Sequence, residues 1–105
     1  MNRLICAAIE TRRLIRFDYD GFERTVEPYA HGFNPVRREV LRGYQVAGGS
    51  RSGVPIGWKF FVVANMDRLE LLSRPFRPVR PRHEHADHNL IVIHCTAMEG
   101  MRPAG

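Results

Sequence analysis

The stretch LIRFDYDGFERTVEP, residues 14–28, constrains the fold more than any other part of the chain. Two runs that alternate apolar and polar residues flank Asp20-Gly21, and Asp-Gly accepts the positive φ angles that a two-residue type I′ turn demands. Such a turn fixes the pairing. Tyr19 faces Phe22, Asp18 faces Glu23, Phe17 faces Arg24, Arg16 faces Thr25 and Ile15 faces Val26. One face of the hairpin then carries Ile15, Phe17, Tyr19, Phe22 and Val26, with a single misfit, Arg24. The other carries Arg16, Asp18, Glu23 and Thr25, where Arg16 is placed to offset the like-charge Asp18/Glu23 pair diagonally. A guanidinium on an apolar face is costly unless it meets a carboxylate, backbone carbonyls or a bound anion. Arg24 is therefore the leading candidate for a binding residue. The bland alternatives are that it snorkels to the rim or pairs with Glu27 or Glu39.

The hairpin sits between one helical segment and a series of further extended runs. NRLICAAIETRR places Leu4, Ile5, Ala8 and Ile9 on one helical face, offers Asn2 as N-cap and sets Arg12 and Arg13 at the negative end of the helix dipole. YAHGFNPVRRE is broken by Gly32, Asn34 and Pro35, and EVLRGYQVA resumes extended structure, with Gly43 marking a bend or bulge. WKFFVVA is apolar on both faces and is expected to be the most buried strand. MDRLELLSRPF is expected to be a short strand after a tight turn. In SRPFRPVRPR the arginines 74, 77 and 80 and the prolines 75, 78 and 81 recur every third residue, the period of polyproline II, which suits a stiff cationic linker. NLIVIHCTA is a last β-like run, free to complete the sheet or to pair with a neighbouring subunit. The expected architecture is mainly β with one short N-terminal helix, a small Sm-like or SH3-like barrel over residues 1–76, a linker over 77–89 and a terminal strand over 90–97.

A chain of 105 residues supports one domain with one modest core. No apolar run reaches the ~20 residues of a membrane span, and neither a signal peptide nor an anchor is read, so a cytoplasmic location and no membrane partner are expected. The two cysteines, Cys6 and Cys95, lie in apolar contexts without C-x-x-C spacing and are read as buried thiols in a reducing compartment, with a disulfide left open. The net charge is +5, and arginine supplies every cation except Lys59. Much of that excess reflects codon usage in a GC-rich genome, but the basicity still favours an anionic partner.

Three strings invite a chemical reading. RHEHADHN holds His83, His85, Asp87 and His88 in the H-x-H-x-D-H spacing of dinuclear metallo-hydrolases. Its context does not fit, because that motif follows an apolar strand of a much larger domain with further ligands downstream, whereas here PVRPR precedes it. GGSRSG satisfies G-x-x-x-x-G and can present Ser50, Arg51, Ser52 and backbone N–H groups to an anion, yet Val54-Pro55 stand where a phosphate loop needs Lys-Ser/Thr, and a hairpin loop is the simpler reading. His94 and Cys95 are neighbours on a strand, so they point to opposite faces and do not form a nucleophile–base pair. No enzyme constellation emerges, and no cofactor is expected.

The order of these features resembles the WYL domain, a small β-barrel module found mostly in bacterial regulators. The likeness runs over roughly residues 4–76 and rests on Ile15, Phe17 and Tyr19, on Arg24, Val26 and Pro28, on Leu41 and Tyr44, and on Phe61 and Phe76. The name-giving tripeptide falls on Glu39-Val40-Leu41, and two cations of the family pattern fall on Lys59 and Asn65, so Arg24 alone carries over cleanly, with Tyr19 and Tyr44 beside it. The resemblance implies a sensor or nucleic-acid-binding role akin to short stand-alone WYL-like proteins. The leading expectation is thus a module binding a nucleotide or single-stranded nucleic acid through Arg24, Tyr19, Tyr44, Trp58, Lys59 and Ser50. Its rival is a homo-oligomerisation module without specific ligand, and a metal-dependent hydrolase through residues 83–88 is a remote third.

Overall fold

Residues 2–78 and 92–96 are described by the computed structural model. Helix α1 spans Arg3–Thr11, opened by Asn2, whose side chain accepts from the Ile5 N–H. It buries Ile5, Ala8 and Ile9. Arg12 ends the helix in the left-handed region at φ 55°, and its N–H reaches back to Ala8 and Ile9. Arg13 already belongs to strand β1, Arg13–Tyr19, and donates from Nε to the Leu72 carbonyl at 2.7 Å. The expectation that both arginines serve the helix dipole is corrected accordingly: one caps the chain reversal and the other is recruited by the sheet.

The turn joining β1 to β2, Phe22–Phe33, has φ 52° at Asp20 and 80° at Gly21, and the β1–β2 register is the one its sequence dictates, from Tyr19↔Phe22 to Ile15↔Val26. Strands β3, Glu39–Gly48, and β4, Gly57–Val62, follow; then a 3₁₀ turn at Val63–Asn65, β5, Asp67–Pro75, and β6, Val92–Thr96. All six strands form one antiparallel sheet in the order β4-β3-β2-β1-β5, with β6 on β2. The twelve-residue β2 makes this possible. Its first half pairs with β1, its last residues, Ala30–Phe33, pair with β6 on that same side, and β3 runs along the other.

Pro28 marks the changeover. It sits opposite Gly43, and between Pro28 and Ala30 the register slips by one residue, which places Tyr29 in a bulge. A Cβ on Gly43 would lie 2.4 Å from Val26 Cγ1, so only glycine permits this approach of β3 to β2. The bulge also resets the alternation. Val26 and Pro28 share a face with His31, whose partner Leu41 lies two residues from Gly43 on β3. Arg24 and His31, seven positions apart, thereby face the same side.

The sheet curls around that side. Tyr19 on β1 meets Phe61 on β4, three strands away, with ring centroids 5.0 Å apart, and its hydroxyl accepts from the Val62 N–H at 3.0 Å. The two edge strands, β4 and β5, nevertheless do not pair. The molecule is mainly β with one helix, as expected, but the sheet is a curled open one and not a closed barrel. Its core gathers Ile5, Ile9, Ile15, Phe17, Val26, Tyr29, Leu41 and Phe61 under α1. Phe17 and Phe61 pack edge to face at 4.9 Å, an arrangement worth about 1 kcal/mol beyond burial.

Three further expectations are corrected. Residues 58–62 of WKFFVVA lie in the edge strand β4 and residues 63–64 begin the 3₁₀ turn; only Phe61 among them is fully buried, while β2 is the most buried strand. Its apolar residues on both faces reflect two clusters, since Phe60 and Val62 cover Ala30 and Val40 while Phe61 enters the main core. The main partner of Arg16 is not the Asp18/Glu23 pair, to which it contributes only a weaker attraction for Glu23; it binds Glu70 directly across the strands at 2.7 Å, and Arg68 approaches Asp18 at 3.5 Å. Cys6 and Cys95 are joined in a disulfide with α-carbons 5.8 Å apart, because β6 brings Cys95 opposite His31 and against α1. The His83–His88 string and most of the 77–89 linker lie outside the described residues.

Candidate functional site

Arg24 lies where the tip of β2 approaches the end of β3. Gly48, at φ 99°, lets β3 run so close to the hairpin that a Cβ there would stand 2.0 Å from the Glu23 carbonyl oxygen. Gly49 then donates to that same carbonyl, and residues 50–52 line the cleft beside Arg24. Arg24 is 3 % exposed and accepts no rim position. Its Nε and Nη2 both donate to the Tyr19 carbonyl, at 3.3 and 3.1 Å, and Nη1 donates to Gln45 Oε1 at 3.3 Å. Gln45 is itself fully buried and fixed from behind, its Nε2 donating to the Gly49 carbonyl at 2.8 Å.

Every one of these acceptors is neutral. No carboxylate among the described residues pairs with Arg24, and neither Glu27 nor Glu39 takes the role that the sequence left open for them. The rings of Tyr19, Phe61 and Phe22 surround the guanidinium instead, at 5.4, 5.7 and 5.9 Å from their centroids. A cleft of about 460 Å³ opens beside it, lined by Tyr19, Asp20, Arg24, Ser50, Arg51 and Lys59 among others. Lys59 reaches across to the Val54 carbonyl at 2.6 Å and to Ser50 Oγ at 3.4 Å. Partial burial, and then the charge of Arg24, hold its ammonium below the usual lysine range. Two cations that raise each other's energy across one cleft make a site suited to a negative guest.

Four of the six residues named from the sequence, Arg24, Tyr19, Lys59 and Ser50, come together here. Tyr44 and Trp58 do not. They are cross-strand partners on the opposite face of the sheet, where Trp58 packs against Tyr44 at 5.5 Å and Tyr29 at 4.7 Å and lies under the fully buried Arg42 at 5.1 Å. Strand alternation explains the split, because Trp58 and Lys59 are consecutive and so are Tyr44 and Gln45. The same rule identifies Gln45, overlooked in the sequence, as the inward neighbour of Arg24. Asp20 is also newly placed at the cleft, carried there by the hairpin turn.

A second polar cluster occupies the other end of β2. His31 is fully buried, with Nε2 2.5 Å from Glu39 Oε2 and Nδ1 3.7 Å from Cys6 Sγ. The Asn2 N–H donates to that same Glu39 oxygen at 2.6 Å. Burial holds His31 below its ordinary value, against the opposing pull of Glu39. Burial would by itself raise the Glu39 carboxyl, but the hydrogen bonds from Asn2 and His31 outweigh it and hold it low. The pair is therefore a neutral imidazole on a carboxylate, with the ring proton on Nε2. No protein-family model, curated protein or solved structure matches the chain.

Proposed function

We propose that the chain is a binding module for a phosphate-bearing ligand, a nucleotide or single-stranded nucleic acid, held in the cleft beside Arg24. The carrying observation is a buried guanidinium with, among the described residues, neutral hydrogen-bond partners only, facing a second cation across an open cleft. In this reading Arg24 and Lys59 supply the charge, and Ser50, Ser52 and the N–H groups of their loop supply hydrogen bonds to phosphate oxygens. Phe22, 40 % exposed at the hairpin tip, offers the stacking surface for a base in place of Trp58. The WYL resemblance supports the same role for Arg24, and the curled sheet is then an open variant of the Sm-like or SH3-like barrel. A cytoplasmic setting belongs to this proposal. No helix among the described residues is long and apolar enough to cross a membrane.

Fluorescence anisotropy with labelled single-stranded oligonucleotides and a labelled ATP analogue, over a salt series, tests the reading. Binding weakens with salt, and Lys59→Met lowers affinity about tenfold at low salt, the loss of one charge-assisted hydrogen bond. Absence of binding at low salt, or equal binding by the wild type and Lys59→Met, overturns it. A second reading, homo-oligomerisation, is favoured by one specific feature: the outer edge of β4 is unpaired among the described residues, and the exposed Val54 and Ile56 adjoin it. Light scattering that reports a monomer at all concentrations removes that second reading.

A further inference from the structure

We propose that Cys6, His31 and Cys95 form a metal site, taking one zinc ion or a similar borderline-soft divalent cation when the Cys6–Cys95 disulfide is reduced. The inference is independent of the cleft, which lies at the far end of β2. It rests on three donor atoms, two Sγ and one Nδ1, all within 4.8 Å of one another. Tetrahedral zinc with bonds of about 2.3 Å to sulfur and 2.0 Å to nitrogen sets its ligand atoms roughly 3.5–3.8 Å apart. The Cys6 Sγ to His31 Nδ1 separation of 3.7 Å already meets that spacing. The two sulfurs must part and Cys95 Sγ must settle at the same spacing from the imidazole, and rotation of the two cysteine side chains provides both adjustments once the bond between them is gone.

The orientation of His31 is the second, independent observation. A carboxylate oxygen can only accept, so the short contact to Glu39 Oε2 requires the proton on Nε2 and leaves the Nδ1 lone pair facing Cys6 Sγ. A disulfide has no hydrogen to offer that lone pair. The arrangement matches the carboxylate–histidine relay that orients metal-ligating imidazoles and raises their basicity. Glu39 is in turn fixed by the Asn2 N–H, so the relay is anchored to the start of α1. Access exists on two sides: Cys6 is only half-buried, and Glu39 lines a separate hollow of about 300 Å³ with Arg38, Val62 and Asn65.

The chemistry balances in two steps. A dithiol reductant gives two electrons and two protons to the Cys6–Cys95 bond, becoming a disulfide itself and leaving two cysteine thiols. Binding of the divalent ion then releases both thiol protons to solvent, so two thiolates and the neutral imidazole enclose the cation with no net charge. Three protein donors leave the fourth tetrahedral position to solvent or an added ligand. Disulfide and metal exclude each other, and occupancy of the site follows the redox state of the chain.

The test uses the full chain, reduced by a dithiol, desalted without oxygen and titrated with Co²⁺. One Co²⁺ per chain is expected, with thiolate-to-cobalt charge-transfer bands and visible d–d bands that Zn²⁺ abolishes by displacement. The oxidised chain shows no such bands. Cobalt on the His83–His88 segment is told apart because histidine alone gives no thiolate charge transfer. Glu39→Gln, which keeps every ligand, weakens binding 10- to 100-fold, as removal of a ligand-orienting partner does. Absence of thiolate bands in the reduced wild-type chain overturns the proposal, as does an unchanged Co²⁺ affinity in both Glu39→Gln and His31→Gln.

Discussion

The two ends of β2 handle buried polar chemistry in opposite ways. At the Arg24 end a permanent cation is held by neutral acceptors and aromatic rings beside an open cleft, and no carboxylate among the described residues pairs with it. At the His31 end a neutral ring is clamped between a carboxylate and sulfur, and little is left to attract an ion of either sign until the sulfurs are reduced. Both side chains reach the same face of one strand because the Tyr29 bulge shifts the alternation between them. The contrast teaches that burial alone says little about function: what matters is whether the partners of a buried polar group satisfy its charge or only its hydrogen-bonding geometry.

The largest expected effect lies at the closed end. The disulfide links residues 89 positions apart, and constraint of so long a loop in the unfolded chain corresponds to about 4 kcal/mol. Cys6→Ser should therefore lower the melting temperature by roughly 15 °C or more, read by circular dichroism without metal. A shift of only a few degrees would mean that α1 and β6 hold together by packing alone. Next comes Arg24→Met. It leaves the Tyr19 carbonyl and Gln45 Oε1 without their donor, a loss of about 2 kcal/mol in urea unfolding, and it removes ligand binding. Full stability in this variant would show that the guanidinium is not held as described.

Acidification separates the two ends further. The folded-state pKa of His31 is lowered from 6.5, so the unfolded chain binds the extra proton; the associated stability is present above about pH 6.5 and is lost as pH falls below it. The lowered Glu39 carboxyl adds a loss of the same sign nearer pH 4.5. Melting temperatures at pH 5 should fall below those at pH 7, and the difference should shrink in His31→Gln. An equal pH 5 deficit in that variant would place the proton elsewhere. The smallest effect belongs to Lys59→Met. Stability changes by less than about 0.5 kcal/mol, while the salt dependence of oligonucleotide binding flattens by roughly 0.7 in logarithmic slope. An unchanged slope would separate Lys59 from the phosphate contact.

The hairpin was fully legible, because Asp20-Gly21 fixes both turn geometry and register, and Arg24 followed from register alone. The remainder of the site was harder to read for reasons that particular residues make plain. Trp58 and Lys59 were grouped by composition, though their side chains leave β4 on opposite faces, and Gln45 was hidden behind the more conspicuous Tyr44. WKFFVVA carries no mark of its edge position, since apolar residues on both faces arise equally from a central strand and from an edge strand between two clusters. His31 was not recoverable. Its inward orientation depends on a bulge, and its partners come from three separate elements: Cys6 from α1, Glu39 from the start of β3 and Cys95 from β6.

That pairing has a topological consequence. The backbone groups of residues 30–33 on one side of β2 are occupied by a strand that arrives from the far end of the sequence and is tethered to α1 by one covalent bond. Cut the bond and lift β6 away, and those groups become a docking rail for any antiparallel segment, including β6 of a second molecule. The cross-link thus keeps those backbone groups covered by a strand of the same chain.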